Sequence, residues 1–253
     1  MTLNAFPIIA WNNRILDATI TASTEATGYP KENLYGLRPA VPWYGTGALE
    51  QLITLTFGGA TPVTCVGICG HNLYTIGAAN VVLQYLDGAT WKDCHAAWTP
   101  TSNRTWWLSF TGQNVTGYRL KIPVGYNTPP WIGVLFVGTY MTLPAWPSGD
   151  WDPDYDEAER NENYSRDGYY LGNDVRYRNR KFTLNIDYLT DTWAQANLIP
   201  WREWAVGRPF FVAPEITNHP TAVYYMMTEP RFPMPWNKNS RRVAIPVFGR
   251  REA

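Results

Sequence analysis

The sequence predicts a mainly β chain: an N-terminal β-sandwich over residues 1–149, and a smaller, barrel-like β-rich domain with one helix over 150–253. Three observations carry this. Apolar and polar residues alternate with period two in several runs. No helical apolar stripe of comparable length interrupts the first region. Composition then changes sharply near Pro144.

The alternation is cleanest in Gln51-Leu52-Ile53-Thr54-Leu55-Thr56-Phe57, where Ile53, Leu55 and Phe57 share one face and Gly58-Gly59 closes the run. Residues 63–68, 79–86, 105–110, 117–122 and 132–142 repeat the theme, and Asp87-Gly88 is a hairpin signal. Beyond Pro144 comes a Pro/Gly/Ser stretch and then an acidic run to Glu162, which reads as a linker or long excursion between domains. Residues 1–149 hold seven basic and six acidic side chains, and 150–253 hold fourteen and fifteen, so charge is concentrated in the second part. There, 180–188 alternates as a strand, and 209–213, 222–228 and 242–247 read as later strands. Residues 191–205 form the one expected helix, capped by Thr190 or Asp191, with Pro200 ending or kinking it.

Overall charge is balanced, with 21 basic and 21 acidic side chains, which leaves no electrostatic footprint for nucleic acid or an anionic membrane. The start, Met1 to Pro7, lacks a charged n-region and a long apolar run, so neither a secretory signal nor a membrane span is expected. Cys65, Cys69 and Cys94 are odd in number and make no disulfide framework. His71 and His95 suggest a zinc site only loosely, and buried reduced thiols are the simpler reading. No metal or cofactor is expected.

Catalytic signals are weak. The three histidines, His71, His95 and His219, lack a neighbouring nucleophile motif, and no Gly-rich phosphate loop is present. A glycan-processing enzyme needs two carboxylates facing each other about 5–10 Å apart. Glu25, Glu32, Glu50 and Asp87 are available, but no spacing favours a pair. The chain is expected not to be an enzyme.

Aromatic content points to binding. The chain has 13 Trp and 16 Tyr, residues that present an apolar body and a polar edge to sugars or partners, although sandwiches also bury many aromatics. Trp43, Tyr44, Asn72, Tyr74, Arg104 and Trp106 fall in or beside loops of the first region and are candidate glycan contacts. The alternative is that Trp43 and one of Trp106 or Trp107 belong to the core. Asp150, Asp152, Asp154 and Asp156 stand at every second position, and an extended strand would aim all four carboxylates one way. A calcium ion would relieve that repulsion, but the run lacks the loop glycine and distal glutamate of a calcium-binding loop, so a solvated or partner-facing strip is favoured. Arg176, Arg178 and Arg180 follow soon after. With the aspartates they form a candidate subunit interface, in which complementary charge would dock subunits head to tail.

The order of these features resembles a family. Tyr29-Pro30-Lys31-Glu32-Asn33-Leu34, Trp43-Tyr44, the 51–57 strand, Gly70-His71-Asn72-Leu73, Leu83 to Trp91, Tyr118 to Ile122 and Ile132 to Gly138 together resemble a discoidin-like (F5/8 type C, galactose-binding-like) jelly roll over about half the chain. The wording around His71, with 179–184 and 207–212, further resembles tail-tip or baseplate (distal tail) proteins of tailed bacteriophages. That resemblance implies a virion structural protein of the tail, assembled in the host cytoplasm. It implies a homo-oligomeric ring (trimer or hexamer) built through the C-terminal domain, contacts with other phage tail proteins, and a sandwich projecting towards protein or a host-surface glycan. A carbohydrate-binding module serving adsorption is the alternative.

Overall fold

A computed structural model describes residues 6–145, 151–153, 155–229, 234–237 and 240–250. The protein is mainly β and divides into two compact units. Among the described residues, 10–141 make the first, and 6–9 with 142–250 make the second.

The strands of the first unit, in chain order, are β1 (Ile8–Asn13, which enters the unit at Ala10), β2 (Ala18–Ala22), β3 (Trp43–Tyr44), β4 (Gln51–His71), β5 (Val82–Asp87), β6 (Thr90–Asp93), β7 (Trp106–Ile122) and β8 (Trp131–Thr142). Two of them organise the sandwich. The first half of β4 pairs with β2 and with residues 117–122 of β7, which continues to β5 and β6. The second half pairs with the start of β7 and with β8. Register breaks between Thr56 and Thr61 and between Val63 and Cys65 let one strand serve both layers. The expected stop at Gly58-Gly59 is therefore corrected: the chain passes this point as a bulge, and 51–57 and 63–68 are one strand. The same holds for 105–110 and 117–122, which are joined in β7.

Between the layers lies a single core. Ile53, Leu55 and Phe57 from the first half of β4 meet Val66, Ile68, Leu120, Ile122, Leu135 and Val137, all buried. Tyr118 pins the corner, its buried hydroxyl lying 2.9 Å from the Thr61 carbonyl oxygen and 2.8 Å from that of Gln113. Burial pushes this phenol up to about 12. At β8, the side chain of Asn13, at the end of the neighbouring β1, bonds the strand backbone: its Nδ2 donates to Leu135 O (3.0 Å) and its Oδ1 accepts from Val137 N (3.0 Å). Asp87-Gly88 is indeed a hairpin turn, with Asp87 opposite Thr90 and Gly88 at φ 62°.

In the second unit, β9 (Glu157–Tyr164), β10 (Tyr170–Leu189), β11 (Phe210–Ala213), β12 (Tyr224–Thr228), β13 (Trp236–Asn237) and β14 (Ser240–Arg250) form an antiparallel sheet, ordered β11-β12-β14-β10-β9 with β13 on β14. Leu184, Ile186, Val243, Ile245 and Val247 are buried along the β10–β14 pair. The helical run comprises α1 (Asp191–Trp193), a π turn (Ala194–Leu198) and α2 (Ile199–Trp204). Its cap is Thr190, whose Oγ1 accepts from Trp193 N at 3.3 Å. Pro200 does not end the helix. It falls at the start of α2, directly after the wider turn, where its missing N–H is tolerated. Trp201 is buried against Phe210, edge to face at 5.1 Å.

Candidate functional site

One end of the sandwich gathers the loop residues singled out by sequence. The pairings Ile68↔Trp106 and His71↔Ile132 place the end of β4 beside the starts of β7 and β8, so the loops leaving and entering these strands lie together. Hydrogen bonds tie them. Asn72 Nδ2 donates to Pro129 O (3.0 Å) and its Oδ1 accepts from Trp131 N (2.8 Å). Gly45 N donates to Pro130 O (2.9 Å) and Tyr44 N to Tyr29 O (3.3 Å). Asn103 Oδ1 accepts from the backbone N–H groups of Tyr74 and Thr75, while its Nδ2 donates to Thr75 Oγ1 (2.6 Å).

His71 is the hub beneath these loops. Leu73 N donates to its Nδ1 (3.3 Å), so the ring proton resides on Nε2, which donates to Arg104 O at 3.0 Å. Burial pulls the imidazole down to about 4, with only partial opposition from the Arg104 carbonyl. Burial also pulls the His95 imidazole down, and Leu83 N donates to its Nε2. The two rings are thus committed to backbone. Cys65 and Cys69 are buried thiols, Cys65 Sγ donates to Gly138 O, and burial raises Cys65 and moves Cys94 to about 12. Among the described residues no group of three or more His, Cys, Asp and Glu could hold a metal ion.

The candidate glycan contacts separate clearly. Trp43 is corrected: it is fully buried, pairs with Ile132 in the strand ladder, and spends its Nε1–H on Thr24 O (3.2 Å). Trp106 is half-buried against the core with one ring face stacked on Trp98, centroids 4.0 Å apart and planes within 10°. Asn72 spends both ends of its amide on the neighbouring loop. Tyr44, Tyr74 and Arg104 remain: Tyr44 is half-buried, Tyr74 and Arg104 are exposed, and Arg104 has no ion-pair partner among the described residues. Two residues the sequence reading missed join them. Tyr29 meets Tyr44 edge to face at 4.5 Å, and Trp131 lies 6.0 Å from Tyr44 at 32°. Pro129-Pro130 immediately before Trp131 was the available signal, since paired prolines place a strand's first residue at a loop mouth.

The candidate interface residues are likewise sorted. Asp150 and Asp154 lie outside the described residues. Asp152 is exposed. Arg178 bonds Asp156 at 3.2 Å, and Arg180 sits 4.4 Å over the Tyr224 ring. Arg176 is exposed in β10.

No family model matches the chain, and no curated protein does. Solved structures similar to it include chitosan-binding module 1 from the chitosanase/glucanase of Paenibacillus sp. IK-5 (18% identity, TM-score 0.44, 51% of this chain and 100% of that one). A Clostridium perfringens family 32 carbohydrate-binding module in complex with GalNAc-β-1,3-galactose is also similar (17% identity, TM-score 0.44, 51% of this chain and 100% of that one). So is the family 32 module of Clostridium perfringens NanJ in complex with galactose (15% identity, TM-score 0.42, 53% of this chain and 99% of that one).

Proposed function

We propose that the first unit is a discoidin-like carbohydrate-binding sandwich, acting by binding rather than catalysis. The observation that carries this is the row Tyr29, Tyr44 and Trp131, half-open to solvent and fixed in place by loop hydrogen bonds, with exposed Tyr74 and Arg104 on the adjoining loops. Aromatic rings held this way stack against the C–H face of a sugar, and a guanidinium without an ion pair donates to its hydroxyls. Pre-fixed loops lower the entropic cost of capture. The test is calorimetric titration against a panel of β-galactosides, GalNAc-containing oligosaccharides and chitosan oligomers. Binding that is lost in Tyr74→Ala and Arg104→Ala, with an unchanged circular dichroism spectrum, is expected. Binding indifferent to both substitutions, or none to any glycan, overturns it.

A second reading concerns the second unit, and the exposed ribbon formed by β9 and the start of β10 favours it. In this reading the chain is a tail-tip or baseplate component of a tailed phage, built into a homo-oligomeric ring, with the sandwich meeting the host-surface glycan. Solution mass by light scattering tests it: a discrete trimer or hexamer supports a ring, and a monomer at every concentration counts against it.

A further inference from the structure

The β9–β10 ribbon is out of keeping with the rest of the fold. Residues 157–164 and 170–178 expose nearly every side chain, among them Tyr164, Tyr170, Leu171, Val175 and Tyr177, and Tyr169 in the turn between them is exposed too. A two-stranded ribbon with no third strand and no covered face is marginal in water. Among the described residues its backbone has no partner on either outer side. Among the described residues β9 is the last strand of its sheet, and β14 pairs with β10 only from Asn179 onwards, so 170–178 have no described neighbour opposite β9.

The two open edges differ in charge. β9 carries Glu157, Glu159 and Glu162 against Arg160, whereas the free stretch of β10 carries Arg176 and Arg178 against Asp174. The register does not let the two strands neutralise one another: Glu159 faces Tyr177, Glu162 faces Asn173 and Arg160 faces Val175. Arg178 is tied to Asp156, but among the described residues Glu157, Glu159, Arg160, Glu162 and Arg176 make no ion pair.

We infer that the ribbon is a head-to-tail docking element for a second copy of this chain, the β9 edge of one copy adding to the 170–178 edge of the next. Strand addition satisfies the open N–H and C=O groups and covers the exposed tyrosines. Pairing β9 with β9 sets glutamates against glutamates, and pairing β10 with β10 sets arginines together, so the acid-to-base arrangement is selected. Because the two surfaces are different, the contact is heterologous and propagates round a ring or along a chain. This rests on the assembly reading of the second unit and supplies its contact.

The experiment is light scattering of the full chain at several concentrations and two ionic strengths. The unaltered chain is expected to associate, with its mass falling as salt rises. Glu159→Lys with Glu162→Lys, or Arg176→Glu alone, should give monomers with native circular dichroism and melting, since among the described residues none of these side chains is ion-paired. All three together reverse both edges and should restore association, and mixing the two monomeric variants should give a mixed complex. An oligomer indifferent to these substitutions overturns edge pairing while leaving the assembly reading. A triple variant that stays monomeric overturns the charge match, and an unaltered chain that is monomeric throughout overturns both.

Discussion

His71 joins two loops to Arg104, its Nε2–H donating to the Arg104 carbonyl 3.0 Å away while its Nδ1 accepts from Leu73 N. Protonation puts a second hydrogen on Nδ1, facing the Leu73 N–H, so the bridge needs a neutral ring. Unfolded, the imidazole titrates near 6.5; folded, near 4. The folded state binds fewer protons, so this contribution is fully present above 6.5 and is lost as pH falls towards 4. It amounts to roughly 3 kcal/mol in all. Urea unfolding between about pH 7 and about pH 4.5 should show a steeper loss in the unaltered protein than in His71→Gln. Equal slopes would remove His71 as the responsible group.

Trp43→Ala should destabilise the sandwich by about 3–5 kcal/mol, because it empties a fully enclosed site and orphans the Thr24 carbonyl. Chemical denaturation measures this directly. Tyr74→Ala, at an exposed position, should leave the unfolding midpoint within about 0.5 kcal/mol of the parent. A Trp43→Ala protein of unchanged stability would contradict the core placement.

Why the sequence offers both Trp43 and Tyr74 as contacts, with the core only an alternative for Trp43, is a matter of what periodicity encodes. Strands with one buried face announce themselves, as Ile53, Leu55 and Phe57 do, and so do Leu184 and Ile186 in β10. A loop aromatic has no period, and its burial depends on which distant strand it meets. Here that is Ile132, 89 residues away. The ribbon was missed for the opposite reason: β9 and residues 170–178 are exposed on both faces, so no apolar alternation marks them, and their charges read as a linker. Bulges hide in a similar way. Gly58-Gly59 carries the same local signal whether the strand stops or shifts register, and only the pairing with β7 decides.

Tyr118→Phe tests the corner where β4 and β7 pass between layers. Its hydroxyl proton is shared by the Thr61 and Gln113 carbonyls at 2.9 and 2.8 Å, beside the register break. Phenylalanine keeps the ring packing, including the edge-to-face contact with Phe57 at 6.0 Å, and removes only the hydrogen bonding. A loss of about 1–2 kcal/mol is expected. Amide exchange should also quicken at residues 57–63 before it does in the 51–56 ladder. No change at the corner would mean that water satisfies both carbonyls equally well.

Gly133→Ala tests how closely the loop before β3 crosses β8. An added Cβ at Gly133 would stand 2.3 Å from Pro39 O and 2.7 Å from Pro39 Cα, both backbone atoms that cannot swing aside. The loop must then lift away, carrying the chain that leads to Trp43 and Tyr44, so strain should spread from packing to the proposed contact surface. The expected cost is about 1–3 kcal/mol in stability, with weaker glycan binding as the loop shifts. Gly58→Ala is the matched control: nothing lies within 4 Å of the new methyl, and the bulge should accept it nearly neutrally. If both alanines cost the same, backbone freedom rather than the close crossing explains Gly133. If only Gly133→Ala loses stability and binding together, the loop that approaches β8 is what holds Tyr44 against Trp131.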